Sequence, residues 1–139
     1  MADETNRPLM TADNTPDHDE IVRVVQLYYD GFGKGDVDRF TEAFLEDAWI
    51  FYTDAEGVLH NGRLTERFEG WASGSATSQG RVIAVTQAGD LASVLLELTD
   101  LADPSDSWVD VHALLRIDGV WKITNKTSTH SSRAAWAKA

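Results

Sequence analysis

Apolar residues recur along the N-terminal part of this chain with the period of a helix. One stripe has apolar residues three or four positions apart: Ile21, Val24, Val25, Tyr28 and Phe32. Asp17 and Glu20 have the spacing of a capping box, which predicts that the helix starts close to Asp17. Glycines end the stripe, and two shorter helices are predicted, one after Asp36 and one over residues 64–71.

The second half of the chain alternates with the period of a strand. Residues 81–87 and 91–99 flank a short turn and predict an antiparallel pair. Residues 107–117 and 120–130 flank Asp118-Gly119, a strong signal for a two-residue hairpin turn. Four strands are therefore expected in direct succession, joined by short connections.

An earlier aromatic run at residues 49–52 predicts a buried strand, and residues 58–60 return beside it. Helices come early and strands late, an order typical of α+β domains rather than of repeated βαβ units. The sequence therefore predicts a cone-shaped fold in which three N-terminal helices pack on a strongly curved, mainly antiparallel sheet. A pocket is expected between the two layers.

Charge and length limit the possible functions. Among 139 residues there are 12 basic and 23 acidic side chains, so the net charge is −11. This charge argues against nucleic acid and anionic membranes as partners, because both require a basic surface, and it favours a neutral or cationic small molecule. Residues 1–16 are expected to be a flexible acidic tail, residues 17–130 a single domain and residues 131–139 a C-terminal tail.

Cysteine is absent, as are a long apolar segment and a basic, apolar leader. We therefore expect a cytoplasmic protein without disulfides. The four histidines show no close pair, so no metal site is predicted. The glycines at positions 31, 33 and 35 end a helix instead of following a strand, so no phosphate loop and no cofactor are expected.

The last hairpin carries the clearest candidate chemistry. A two-residue turn sets the register and places His112 opposite Asn125. The same register sets Asp110 opposite Thr127, so that a carboxylate, an imidazole, an amide and a hydroxyl meet on one face. If this face is concave, the four side chains line the pocket. If the apolar face from Val109 to Ile117 is the core instead, the cluster lies on an outer or dimer surface.

Asp110 and His112 are also the candidates for acid/base catalysis. Because the carboxylate lies two residues away on the same face, we expect it to raise the pKa of His112 more than burial lowers it. Tyr28, Tyr52 and Trp71 suit either a core or a pocket wall, and they complete the predicted ligand-binding set.

Three segments of the chain resemble the nuclear transport factor 2-like superfamily. The first runs from Val24-Val25-Gln26-Leu27-Tyr28 into residues 35–40, the second is residues 44–49 and the third is residues 117–127. The third ends in Trp-Lys-Ile-Thr-Asn-Lys-Thr and is most similar to the putative lumazine-binding (SnoaL-like) branch. The resemblance implies the cone-shaped fold and a homodimer. It leaves isomerases, dehydratases and binding modules open as functions.

The N-terminal half also resembles ketosteroid isomerase. Tyr28 falls at the position of that family's oxyanion-hole tyrosine. The family's general-base aspartate falls on Tyr52, and its second aspartate falls on or near Ala113. Without its base the reaction cannot follow the family's route, so steroid isomerisation is not expected.

Three functions remain open. The first is a small-molecule-binding protein whose pocket takes a mostly apolar or aromatic ligand. The second is a lyase- or isomerase-type enzyme with Asp110 or His112 as acid/base, and the third is a structural dimerisation module. A homodimer is expected to form through the sheet, because both faces of the last hairpin carry apolar residues, and Trp136 is expected to add to the contact.

Overall fold

The computed structural model describes residues 15–33, 35–74 and 77–134. In this part of the chain three helices pack on one face of a curved sheet. They are α1 (Thr15–Gly31), α2 (Val37–Ala43) and α3 (Phe68–Ala72), with a 3-10 turn over Leu64–Arg67 leading into α3. The predicted third helix is therefore part 3-10 and part α.

Six strands form one open sheet in the described residues. They are β1 (Phe44–Thr53), β2 (Leu59–Arg63), β3 (Ser78–Ala88), β4 (Leu91–Asp100), β5 (Asp103–Ile117) and β6 (Val120–His130). Their order is β2-β1-β6-β5-β4-β3, and all neighbours are antiparallel except β1 and β6. The predicted α+β fold is confirmed, with one parallel contact where the last strand joins the first.

The core lies between α1 and the concave face of the sheet. The predicted stripe of α1 is at most 1% exposed at four positions: Ile21, Val24, Val25 and Tyr28. These residues share one cluster with buried side chains of the central strands: Val94, Leu96, Leu114, Trp121 and Ile123. Because each large apolar side chain contributes about 1.5–3 kcal/mol when fully buried, this cluster holds the helices on the sheet.

The start of α1 differs from the prediction. The helix begins at Thr15, so Asp17 lies inside its first turn. The Asp17 carboxylate accepts hydrogen bonds from Gln87 Nε2 at 3.0 Å and from Arg116 Nη1 at 2.7 Å. Glu20 pairs with Arg23. The predicted capping box is therefore wrong, because both carboxylates take side-chain partners. Residues 1–14 and 135–139, most of the two predicted tails, lie outside the described residues.

Two strand predictions also need correction. Residues 49–52 do not form a wholly buried strand, because β1 alternates: Ile50 is 2% exposed, whereas Trp49 and Phe51 are 42% and 41% exposed. β5 begins at Asp103, four residues before the predicted start at Ser107, and continues the pairing with β4. Both differences follow from the regular ladder, which extends the strands and sends successive side chains to opposite faces.

A bulge in β6 changes the register of the last hairpin. Asp118 and Gly119 form the predicted turn, with φ of 51° and 81°. Leu114 pairs with Ile123, but Ala113 pairs with Asn125, so Thr124 is an extra residue in β6. Beyond the bulge every β6 side chain is on the face opposite to the one predicted.

The bulge overturns the predicted cross-strand pairs. His112 lies opposite Lys126 instead of Asn125, and Asp110 lies opposite Ser128 instead of Thr127. The prediction assumed that the two-residue turn fixes the whole ladder, and one additional residue moves the ladder by one position.

The close approach of β3 to α1 gives a stability test. A Cβ at Gly80 would overlap the buried ring of Tyr29. We expect Gly80→Ala to lower the free energy of unfolding by about 1–3 kcal/mol, the usual cost of overpacking, as measured by urea unfolding. Gly70→Ala is the control, because Gly70 has open space around it and alanine is the better helix former. Equal unfolding midpoints for the two variants would contradict this packing.

Candidate functional site

A cavity of about 160 Å³ opens between the helices and the concave face of the sheet. Five aromatic rings line it: Tyr28, Phe32, Tyr52, Trp71 and Trp108. The remaining lining residues are two aliphatic and three polar side chains: Ile50, Leu98, Arg67, Lys126 and Ser128. The cavity is thus mostly aromatic, with its polar groups restricted to a few positions.

A buried polar cluster adjoins the cavity and converges on one carboxylate oxygen. Tyr28 donates its hydroxyl to Asp110 Oδ2 at 2.9 Å, and His112 Nε2 lies 3.3 Å from the same oxygen. Lys126 Nζ is 3.5 Å from it and donates to Ser128 Oγ at 3.1 Å. Asp110 and His112 are fully buried. The face of β5 that carries Asp110 and His112 is therefore the concave face, and it is not an outer surface.

Each element contributes to this cluster for a local reason. The helical period of α1 points Tyr28 at the sheet, and strand alternation puts Asp110 and His112 on the concave side of β5. The bulge at Thr124 then turns Lys126 inward from β6. The cluster consequently joins one helix and two strands.

Asn125 and Thr127 lie away from the cluster. Thr127 is exposed and donates to Asn125 Oδ1 at 2.8 Å, so these two polar side chains satisfy each other. Neither is among the residues that line the cavity. Their predicted contact with His112 and Asp110 is wrong.

Tyr52 and Trp71 line the cavity from different elements, Tyr52 from β1 and Trp71 from α3. The Tyr52 ring stacks on His60 with ring centres 4.7 Å apart, and its hydroxyl accepts a hydrogen bond from Arg67 Nη1 at 3.3 Å. Trp71 stacks on Phe32 at 5.4 Å. Both predicted aromatic residues therefore form part of the cavity wall.

The cluster shifts the pKa values of its members. Burial raises the pKa of Asp110, but Lys126, His112 and Tyr28 together outweigh it and hold that pKa below its usual value. Burial, followed by the charge of Asp110, raises the pKa of Tyr28 well above its usual value. Burial lowers the pKa of Lys126, and Asp110 opposes this shift. Asp110 is therefore an anion that accepts hydrogen bonds.

The expected direction for His112 is wrong. Burial lowers the pKa of this imidazole, and the hydrogen bond and charge of Asp110 only partly oppose the shift. Lys126 adds a further lowering, because a second cation beside the ring disfavours its protonation. His112 is consequently neutral, and its Nε2 carries the hydrogen because the carboxylate can only accept.

Sequence reasoning missed three polar residues of the cavity, namely Arg67, Lys126 and Ser128. Lys126 and Ser128 could be found only by knowing of the bulge. Arg67 could have been predicted from the sequence, because it lies four residues before Trp71 and residues with this spacing share one helix face. Within the described residues no group of three or more His, Cys, Asp or Glu converges as a metal site would require. In the same residues no helix combines the length and apolar character of a membrane span.

The neutral, buried state of His112 gives a pH prediction. The unfolded chain takes up a proton near pH 6.5, but the folded chain does so only at lower pH. Between the pKa values of the unfolded and the folded chain, His112 lowers the free energy of unfolding by up to about 1.4 kcal/mol for each unit by which the pH falls. Urea unfolding between about pH 5 and 7.5 should show a shallower pH dependence for His112→Gln than for the wild type. An unchanged slope for His112→Gln would contradict the expectation.

Comparison with known proteins agrees with the fold and leaves the ligand open. The model of the family described as putative lumazine-binding matches residues 16–128. A nuclear transport factor 2-like protein of unknown function from Shewanella baltica is similar with 22% identity and a TM-score of 0.74, over 85% of this chain and 96% of that chain. A second such protein, from Methylobacillus flagellatus, has 22% identity and a TM-score of 0.73, over 88% and 96%.

A third protein of unknown function, from Silicibacter pomeroyi, has 20% identity and a TM-score of 0.71, over 86% of this chain and 98% of that chain. No curated protein sequence matches this chain significantly. These identities support a shared fold alone, whereas the family match spans most of the chain. The chain therefore belongs to the putative lumazine-binding family and shares its fold with these nuclear transport factor 2-like proteins.

Proposed function

We propose that this protein binds a small, mostly apolar or aromatic molecule in the cavity between the helices and the sheet. The observation that carries the proposal is the lining of five aromatic rings around about 160 Å³. Binding sites for small molecules are typically concave and mostly apolar, with a few polar groups that fix orientation. The cavity is also well above the roughly 30 Å³ that one water occupies, which argues against a purely structural module.

The polar residues of the cavity supply the orienting groups. Lys126 and Ser128 reach it from β6 and Arg67 from the turn before α3, while Tyr28 presents its ring from α1. Asp110 and His112 are not among the lining residues. Asp110 contacts Tyr28 and Lys126 on the side away from the cavity, and His112 contacts Asp110. In this proposal Asp110 and His112 act on the ligand through those two residues.

A lyase- or isomerase-type enzyme is the second candidate, and the Tyr28–Asp110–His112 hydrogen bonds favour it. A charged carboxylate beside a neutral imidazole is an arrangement that can move protons. Loss of turnover in Asp110→Asn with ligand binding retained would support the enzyme. A turnover unaffected by this change would exclude Asp110 as the acid/base, and a wild-type protein without turnover would leave binding as the function.

We further propose a homodimer formed through the convex face of the sheet. Large apolar side chains on that side are about 40% exposed, among them Phe51, Val111 and Leu115. A contiguous exposed apolar surface of this kind commonly marks a contact between subunits. Trp136, which was expected to add to the contact, lies outside the described residues.

Filling the cavity tests ligand binding. Leu98 of β4 lines the cavity, whereas Leu91 of the same strand is 52% exposed. We expect Leu98→Phe to lower the affinity for a small aromatic ligand found by ligand-observed NMR screening by about tenfold or more, since the ring occupies ligand space and each lost 1.4 kcal/mol is about tenfold. Leu91→Phe, the same change at an exposed position that does not line the cavity, should bind as the wild type does. Equal affinities in the two variants would place the ligand elsewhere.

Native mass spectrometry tests the dimer. At micromolar concentration the wild-type protein should appear mainly as a dimer, and Val111→Lys should shift it to monomer because a charge would be buried in the contact. Leu101→Lys, at an exposed position in the turn between β4 and β5, is the control and should remain dimeric. A wild-type protein that is entirely monomeric would refute the proposal.

A further inference from the structure

We propose that the ligand is an aromatic monocarboxylate, whose ring lies among the aromatic side chains of the cavity and whose carboxylate binds the Arg67 guanidinium. This inference rests on the proposed binding function and names the class of molecule that the site takes.

The charges around the cavity are the first support. Among the described residues that line it, two side chains are basic, Arg67 and Lys126, and none is acidic. Asp110 Oδ2 lies 3.5 Å from Lys126 Nζ and balances that charge. In the described part of the chain no ion pair joins Arg67 to a carboxylate, and its hydrogen bond goes to the neutral Tyr52 hydroxyl. The cavity therefore carries one positive charge that its own walls leave unbalanced.

The geometry of Arg67 is the second support. Its guanidinium lies over the Tyr52 ring, 5.4 Å from the ring centre, and it uses Nη1 to donate to the Tyr52 hydroxyl. A guanidinium has five N–H donors in a planar fork, and carboxylates fit two of them in parallel. The Tyr52 ring is itself stacked on His60, with ring centres 4.7 Å apart, and this contact restrains the ring over which the guanidinium lies. Such a preorganised fork favours a planar oxyanion over a neutral group.

The arrangement of the aromatic wall is the third support. Trp71 is four residues beyond Arg67 along the turn and helix, and its ring is stacked with Phe32. Both rings line the same cavity as Arg67. A small cavity with aromatic walls suits a single ring better than a sugar or a polyanion. A cationic ligand is disfavoured, because it would meet Arg67 and Lys126 without a facing carboxylate.

Calorimetry with two matched probes, phenylacetate and its neutral analogue phenylacetamide, tests the inference. We expect phenylacetate to bind at least about tenfold more tightly, because its carboxylate forms a bidentate, charge-paired contact with the guanidinium that the neutral amide cannot form. In Arg67→Gln the preference should fall below about threefold while the amide keeps its affinity. Arg67→Lys should retain part of the preference, because it keeps the charge and loses the fork.

Arg63→Gln is the matched control. Arg63 lies four residues earlier, and its side chain reaches Asp47 on the exposed surface and does not line the cavity. This variant should show the wild-type preference for phenylacetate. Urea unfolding of all variants establishes that each is folded.

The possible results separate the two proposals. Phenylacetamide binding as tightly as phenylacetate, or more tightly, would overturn the carboxylate inference and leave the proposed binding function intact. A preference for phenylacetate that survives in Arg67→Gln would overturn the assignment to Arg67. If neither probe binds up to its solubility limit, both the inference and the proposed binding of small aromatic molecules are overturned.

Discussion

The buried carboxylate of Asp110 is the constraint on which the helix layer and the sheet both depend. An unpaired charge in a protein interior costs several kcal/mol, so it must be matched by groups from the elements around it. Tyr28 comes from α1, His112 from β5 itself and Lys126 from β6, and all three point at the same oxygen. The position of the first helix on the sheet is thereby tied to the chemistry of the cluster. A fold held only by apolar contacts would leave that position less strictly defined.

Much of this fold follows from local rules that can be applied to the sequence. The stripe of α1 identifies the buried helix face, and Asp118-Gly119 identifies the last hairpin, because only a few residue pairs suit a two-residue turn with positive φ. Strand alternation places Asp110 and His112 on one face of β5, and the packing of Tyr28 of α1 against that face makes it the concave one. The failures lie where tertiary contacts decide between local alternatives. Asp17 takes Gln87 and Arg116 as partners instead of capping its helix.

The charge of the whole chain is a poor guide to its cavity. A net charge of −11 describes mainly the outer surface, whereas the lining contains Arg67 and Lys126 without an acidic residue in the described part of the chain. Salt screens surface charges over a Debye length of about 8–10 Å, so a ligand in the cavity responds most strongly to the nearest charged groups. The preference for a neutral or cationic ligand inferred from composition reflects the outer surface, whereas the preference for an anion is inferred from the residues that line the cavity.

The bulge at Thr124 determines which face of the sheet each later side chain of β6 occupies. With it, Lys126 and Ser128 are buried on the concave side and Asn125 and Thr127 are on the convex side. If the same residues paired in a regular ladder without a bulge, Asn125 and Thr127 would face the cavity and Lys126 would face outward. Two relatives with nearly identical sequences in this strand, one with the bulge and one without it, can thus present different polar side chains to a ligand. Residue-by-residue alignment through β6 transfers a binding role correctly only between proteins that share the bulge.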